Sequence, residues 1–418
     1  NYYYINVNTY YIKFTGSYIE SIAIKKRKIQ MKIGKENFFI IEKIITIIVM
    51  VLIVFLSNSS YANDNQTIIE QQEEFKIQDF IKNAEKFTGE FFEDIDINEI
   101  LNDAIKGEVD NSTLLKKILN ILGKEVTTNI KSLVSILAII LIHSILKSIS
   151  ESLENNNISK LIYYVQYILI VTVIMSNFTD IIKLVQDTTG NLIGFMNALV
   201  PLLITLMMYT GSITTSSVVE PIMINFIGNI IQNLIIPFVL VLTSLVIISK
   251  ISDKVHIDKL SKFFKSGIVR FLGVVLTVFV GVVSLEGTLS SSVDGITAKT
   301  TKAVVSSAIP VVGKILGDAV DTVLGCGIVL KNAVGLVGVV IVIGICIMPI
   351  LKLFVLSVSY KLLSTVVQPI ADEKIIDLLE QIGDIFKIFL GILCAISFML
   401  IIGTTLVLKI SNGTMMYR

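Results

Sequence analysis

Residues 333–356 read AVGLVGVVIVIGICIMPILKLFVL and contain a single charged side chain, Lys352. A transmembrane helix needs about 20 predominantly apolar residues, so this run is long enough to cross a bilayer. Similar apolar runs occur at 130–146, 161–178, 192–209, 221–248, 267–285 and 385–408. The sequence therefore predicts an all-α, polytopic membrane protein with about seven hydrophobic segments in the lipid bilayer.

The composition indicates the same class. Hydrophobic residues make up 53% of the chain and charged residues 17%, with a mean hydropathy of +0.78, which lies outside the range of soluble enzymes. The net charge is +1, and without a concentrated basic surface no nucleic-acid partner is expected. Cys326, Cys346 and Cys394 are far apart in apolar surroundings, which predicts buried packing residues rather than disulfides or a zinc site.

The N-terminal part has the features of an export signal. Residues 31–62 contain lysines, then an apolar run at 44–56, then small residues before a cleavage site after Ala62, which predicts a signal peptide. An uncleaved anchor is the alternative. Residues 1–30 precede Met31 and are expected to be an upstream extension outside the fold. With either reading of the signal, the segment that follows begins outside the cytoplasm.

That following segment, 63–128, is acidic. Between 63 and 125 it has fifteen Asp or Glu against seven Lys, and its apolar residues recur at helical spacing. We predict short amphipathic helices outside the cytoplasm, docked on the membrane part or on a partner. A solvated acidic leader without a specific partner is the alternative.

One apolar run is interrupted. The run at 221–248 contains four amide side chains and Pro237, where a kink or a helix break is predicted because proline removes a backbone donor. The loop at 250–265 has five lysines against two aspartates and is the strongest candidate for a cytoplasmic loop. Simple counting from an external residue 63 places this loop outside, since four runs precede it. A re-entrant or doubly crossing element at 221–248 resolves the conflict; otherwise the positive-inside pattern fails here.

The amphipathic helix predicted at 303–328 carries a narrow polar stripe, formed by Lys314, Gly317, Asp318, Asp321 and Gly325. Charged groups are unfavourable in hydrocarbon, so the stripe is expected to face a water-filled cavity, a partner helix or the membrane surface. It is either a lining or assembly surface or an ion-coupling site. The first is favoured, because Lys314 lies four residues before Asp318 and can pair with it.

The remaining boundaries follow from the pattern of charge. Residues 129–408 are predicted to form the multi-pass membrane domain, and 409–418 a short tail. Within the domain, 361–381 mixes apolar residues with six charged ones, which predicts two short interfacial helices separated near Pro369.

Signatures of catalysis are missing from the sequence. Gly313 and Lys314 lack the spacing and the following hydroxyl residue of a phosphate-binding loop. Neither His143 nor His256 has a nearby Cys or His that suggests a metal site, so His143 is interpreted as a packed or hydrogen-bonded residue. The sequence therefore predicts a protein that is not an enzyme and has no cofactor or metal.

The stripe region also carries a family resemblance. The segments IPVVGKILGDAVDTVLGCGIVLKNAVGLVG (309–338), FMNALVPLLITLMMYTGS (195–212) and QPIADEKI (368–375) resemble the stage III sporulation protein AE family. The resemblance extends from about Met31 onward. It supplies no established catalytic residues.

The resemblance implies an integral subunit of the channel complex that joins the mother cell to the engulfed forespore and sustains late forespore gene expression. The implied location is the mother-cell membrane around the forespore. Implied partners are membrane proteins of the same operon, their secretion-type ATPase and a forespore-membrane channel partner; homo-oligomers are left open. The alternative is a permease or ion-coupled transporter that acts alone. Transporters built from inverted repeats have a pair of broken helices, whereas this sequence has one clear break, near Pro237, which favours the channel subunit.

Overall fold

The computed structural model describes residues 72–73, 75–88, 92, 96–106, 111–152, 156–209, 216–251, 257–282 and 313–412. All of them belong to one unit, Ser60–Arg418. The expected extension at 1–30 and the predicted signal peptide at 31–62 lie outside the described residues.

The described residues form nine helices. They are α1 Ile77–Ala84, α2 Ile97–Lys106, α3 Asn111–Ser152, α4 Asn156–Tyr209, α5 Ser216–Ile230, α6 Ile236–Ile251, α7 Asp258–Val282, α8 Gly313–Val366 and α9 Glu373–Asn412. A five-residue π-turn, Ile231–Ile235, connects α5 to α6. This part of the chain contains no strand, and the predicted all-α fold is confirmed.

Six helical segments among the described residues are long and apolar enough to cross a membrane, judged by length and composition: Gly123–Ile149, Lys160–Tyr209, Ile222–Ile251, Asp258–Val282, Gly325–Val366 and Glu373–Thr405. They confirm the polytopic class. The sequence predicts about seven segments, and the difference arises in α4. The apolar runs at 161–178 and 192–209 lie on this one continuous helix.

The second run of α4 is apolar because protein covers it. Phe195, Met196 and Leu199 are completely buried. The Phe80 ring of α1 lies 6.0 Å from the Phe195 ring, and a Cβ at Gly338 of α8 would lie 2.6 Å from Leu199 Cδ2. Interior and membrane-facing positions have similar compositions, so the sequence could not separate them. The predicted segment at 192–209 is therefore the second part of the single candidate span Lys160–Tyr209, and its buried residues face protein.

The region around Pro237 also differs from the prediction. The chain is helical without interruption from Ser216 to Ile251, so a re-entrant or doubly crossing element at 221–248 is wrong. Proline lacks an N–H and its ring clashes with the carbonyl four residues earlier, here that of Asn233. Asn233 lies inside the π-turn, whose wider backbone accommodates the proline without a break.

The last two helices, α8 and α9, form an antiparallel pair. α8 ends at Val366 and α9 begins at Glu373, so 361–381 consists of two helix ends and a turn rather than two short helices. The helices continue through this region because its apolar residues are buried between them, among them Val367, Ile375, Leu378 and Leu379, all 0% exposed. The Tyr360 and Phe386 rings pack at 5.3 Å.

The acidic N-terminal segment supplies the short helices α1 and α2, which pack on α4 and α8. α1 is amphipathic and buries Ile77, Phe80, Ile81 and Ala84. Just before α1, the Phe75 ring lies 5.0 Å from the ring of Tyr209, which is the last residue of α4. α1 and α2 therefore cover the end of the bundle opposite the α8–α9 turn.

Candidate functional site

The predicted stripe lies at the beginning of α8. The backbone is helical from Gly313, and the side chains of Lys314, Asp318 and Asp321, like residues 303–312, lie outside the described part of the structure. Gly317 belongs to the same first turns. Gly325 is partly exposed, and a Cβ added there would meet no atom within 4 Å. The stripe remains a prediction, carried by an unbroken helix.

The predicted break residue, Pro237, lies in the first turn of α6 and is exposed. It follows the π-turn on the helix that also carries Asn225, Asn229 and Asn233. The stripe lies on a different helix, α8. The structure therefore presents them as separate features.

The main polar feature of the bundle is a set of ion pairs around the α8–α9 turn, which we call the hairpin charge layer. Acidic groups come from the turn, from α9 and from the start of α7, and cationic partners come from α3, α6, α7 and α8. Its members are His143, Lys147, Lys250, Asp258, Lys265, Lys361, Asp372, Asp377 and Asp384. The layer connects the ends of five helices.

Asp372 joins α3 to the α8–α9 turn. Its Oδ2 lies 2.9 Å from Nε2 of His143, a residue that is 2% exposed, and its Oδ1 accepts a hydrogen bond from Lys147. The hydrogen bond from His143 and the charge of Lys147 lower the pKa of Asp372 from 3.8 to about 2, against the opposing effect of burial. The carboxylate is therefore held in its charged form.

Lys250 joins α6 to α7 and α9. Its buried ammonium lies 3.1 Å from Asp258 Oδ1 and 3.4 Å from Asp377 Oδ2. The Tyr163 hydroxyl of α4 donates to the Lys250 carbonyl at 2.6 Å, and Lys374 Nζ lies 5.5 Å from the centre of the same ring. Helices α4, α6, α7 and α9 thus meet at Lys250.

Asp384 accepts two cations. Lys361 Nζ lies 2.6 Å from Asp384 Oδ1, and Lys265 of α7 binds Oδ2. Gly383 permits this close approach of α8 and α9, since a Cβ there would lie 3.0 Å from Lys361 Cγ and 3.1 Å from the Ser357 carbonyl oxygen. The Ser357 hydroxyl also donates to the Gly383 carbonyl at 2.8 Å.

This arrangement suits mechanical connection of helices. Each carboxylate of the layer contacts a cation from another helix, so its charge is neutralised where it lies. Among the described residues no group of three or more His, Cys, Asp or Glu is placed to hold a metal ion. The three cysteines are free and lie in the interior, fully or partly buried, which confirms their predicted packing role.

The comparisons with known proteins give one consistent result. The family model described as stage III sporulation protein AE matches residues 95–411. The chain belongs to this family. Stage III sporulation protein AE of Bacillus subtilis (strain 168) is 29% identical over 307 residues, which cover 73% of this chain and 77% of that protein. No solved structure matches.

The stage III sporulation protein AE match confirms the family inferred from 309–338 and its companion segments. It includes α2, all six candidate membrane helices and the whole hairpin charge layer. The chain is thus a sporulation protein with the helical architecture of a membrane protein. Sequence reasoning identified the basic loop at 250–265, but not the aspartates that pair with it, because Lys250 and Asp377 are 127 residues apart.

Proposed function

We propose that this chain is a non-enzymatic integral membrane subunit of the channel complex that joins the mother cell to the forespore, required for endospore formation and late forespore gene expression. The observation that carries the proposal is the family match, which spans every candidate membrane helix. The charged groups described at one end of those helices pair with each other, as expected of a scaffold.

The structure supports one orientation of the helices in the membrane. With α4 as a single helix, three candidate spans precede the basic loop at 250–265. Counting from an external acidic segment, this loop then lies in the cytoplasm, in agreement with its lysines. α7 and α8 cross out and back, which brings the α8–α9 turn to the same side. The Lys250–Asp377 contact requires this shared side.

The exposed residues of α4 support an extracytoplasmic location for its second half, on the side of the membrane opposite the α8–α9 turn. A helix of 50 residues is about 75 Å long, more than twice the hydrocarbon thickness. Near its start α4 exposes apolar residues such as Leu161, Val165 and Ile168. Between 179 and 205 its exposed positions are polar, Gly or Pro: Thr179, Asp180, Lys183, Gln186, Asp187, Gly190, Asn191, Asn197, Pro201 and Thr205. We infer that this half projects from the membrane on the side of α1 and α2.

The two ends of the bundle suit different partners. On the cytoplasmic end, the first turns of α7 expose Lys259, Lys262 and Phe263, the last at 72%. We propose this end for the secretion-type ATPase of the operon. The acidic region with α1 and α2 is proposed for the forespore-membrane channel partner and the operon's other membrane proteins. The membrane is then the mother-cell membrane around the forespore.

The test uses sporulating cells of a strain from which the gene has been deleted. We expect engulfed forespores that fail to express a late forespore reporter, with expression restored by the wild-type gene. Affinity purification of the restored protein is expected to recover the operon's membrane proteins and ATPase. Normal late expression in the deletion strain contradicts the proposal, and so does restored expression by a protein that recovers none of these partners.

A further inference from the structure

His143 of α3 and Gln166 of α4 together hold three buried polar atoms that have no hydrogen-bond partner among the described residues. These atoms are Nδ1 of His143 and both Nε2 and Oε1 of Gln166. The two residues are 2% and 3% exposed, so bulk water does not reach them. Buried polar atoms in proteins are almost always bonded to protein or to ordered water, because leaving one unsatisfied is unfavourable. The interior therefore needs a further hydrogen-bonding group here.

His143 and Gln166 lie at the same level of the bundle. α3 and α4 contact each other and are separated in the chain by residues 153–155 alone, so they run in opposite directions. His143 lies nine residues before the last residue of α3, and Gln166 lies ten residues after the first residue of α4. At about 1.5 Å per residue, both lie roughly 14 Å from the connection between the helices. The two buried side chains are therefore level with each other.

The packing of α4 on α8 places Gln166 at the level of the α8–α9 turn. These two helices run in opposite directions, since Leu199 lies against Gly338 and Asn177 Nδ2 donates to the Tyr360 hydroxyl at 3.4 Å. Gln166 precedes Asn177 by eleven residues, which is about three helical turns, so it lies on the same face of α4 and about 16 Å nearer the turn. Gln166 therefore faces the end of α8, where the turn also meets α3.

The contact between His143 and Asp372 decides what Nδ1 of the imidazole requires. The charged Asp372 carboxylate only accepts hydrogen bonds, so the hydrogen in this contact lies on His143 Nε2. Nδ1 is then an acceptor in the neutral ring and a donor in the protonated ring, and the Gln166 amide adds both donors and an acceptor. A metal cation would satisfy only the acceptors. Water both donates and accepts, so it satisfies these atoms in either protonation state of His143.

We propose that the junction of α3, α4 and the α8–α9 turn is an internal binding site for ordered water, which bridges His143 Nδ1 and the Gln166 side chain. Internal waters make about three hydrogen bonds each to buried polar groups. The bridge continues the hydrogen bonds from Asp372 through His143 to α4, so that the turn is connected to α4 as well as to α3. The inference does not depend on the channel role, because it concerns the interior of this chain alone.

The first test is solid-state NMR of the full chain in liposomes, with the ring nitrogens of histidine isotopically labelled. The chain has two histidines, so His256→Gln leaves the signals of His143 alone. Short-range magnetisation transfer from water protons to His143 Nδ1 is expected, and Gln166→Met is expected to abolish it. Asn177→Leu, on the same face of α4, is the matched control and should keep the transfer.

Three results overturn the proposal. One is a resolved His143 Nδ1 signal that receives no magnetisation from water. Another is a hydrogen-bonded Nδ1 without this transfer, which means that Gln166 binds His143 directly. The third is transfer that persists in Gln166→Met, because Gln166 then does not hold the water. The spectrum of the protein with native Gln166 tests the site whether or not the Gln166 variant folds.

The second test measures thermal unfolding in detergent. Gln166→Met keeps the length of the side chain but removes its polar atoms, and it is expected to melt below the wild type because the water loses a partner. Gln186→Met, at an exposed position of α4, is the control and should melt like the wild type. A melting temperature of Gln166→Met equal to or above that of the wild type contradicts the proposal, since removal of an unsatisfied buried amide is neutral or stabilising.

Discussion

The Lys250 ammonium lies 3.4 Å from Asp377 Oδ2, so the end of α6 is held against the first turns of α9. Lys250 is 7% exposed and also contacts Asp258. A nearly buried cation of this kind depends on its carboxylates, and several such pairs together fix the relative positions of five helix ends.

Removal of Asp384 is expected to destabilise the protein. Asp384→Asn leaves Lys265 and Lys361 next to each other without their shared carboxylate, and the side chain is only 21% exposed. Removing the carboxylate while both lysines remain is expected to lower the free energy of unfolding by about 2–3 kcal/mol. Thermal unfolding followed by circular dichroism in detergent measures the effect. Asp180→Asn, an exposed acid of α4, is the control and should unfold like the wild type.

The stabilisation that Asp372 provides through its contact with α3 is expected to be lost at acid pH. The pKa of Asp372 is lowered to about 2 in the folded protein from 3.8, so its stabilising effect is complete above pH 3.8 and lost as the pH falls towards 2. The melting temperature of Asp372→Asn should therefore lie below that of the wild type at neutral pH. The gap should narrow between about pH 4 and 2. A gap that is constant over this range contradicts the pairing.

Gly383→Ala and Gly391→Ala form a matched pair on α9. At Gly383 a Cβ would lie 3.1 Å from the backbone carbonyl oxygen of Ser357, which cannot move freely, whereas at Gly391 nothing lies within 4 Å. We expect Gly383→Ala to lose about 1–3 kcal/mol by overpacking, and Gly391→Ala to gain up to about 1 kcal/mol from helix propensity. Equal melting temperatures for the two variants would show that the helices do not approach closely at Gly383.

Cysteine accessibility tests the orientation. Lys259→Cys on α7 and Gln78→Cys on α1 both occupy exposed positions. In protoplasts of non-sporulating cells that produce the protein in their plasma membrane, a membrane-impermeant reagent is expected to label Gln78→Cys directly and Lys259→Cys only after the membrane is opened. Labelling of Lys259→Cys from outside means that the proposed orientation is inverted.

The predicted stripe calls for a functional comparison. Asp318→Asn and Asp321→Asn, singly and together, are expected to reduce recovery of partner proteins in a pull-down, and late forespore expression should fall in proportion. Lys314→Gln is expected to act in the same direction, because it belongs to the same stripe. Normal partner recovery with lost expression supports ion coupling instead.

Hydropathy alone predicted the fold class and the approximate positions of the helices. It counted 161–178 and 192–209 as two segments although both lie on α4, and it could not distinguish the buried Phe195 and Leu199 from lipid-facing residues. At Pro237 the rule that proline interrupts a helix was outweighed by a local π-turn. The hairpin charge layer could not be predicted, since its partners are far apart; His143 and Asp372 are separated by 229 residues. The sequence showed a lysine-rich loop at 250–265 and acidic residues within 361–381, but no pattern that indicated which lysine contacts which aspartate.

The unbroken course of α4 has a mechanical consequence. One end of this helix is anchored through Tyr163 at the charge layer, and the other packs through Tyr209 against the ring of Phe75. A helix resists bending, so a tilt imposed by a partner on one side of the membrane moves the opposite end as well. α4 can thus act as a lever that couples the position of the charge layer to that of the N-terminal segment around Phe75.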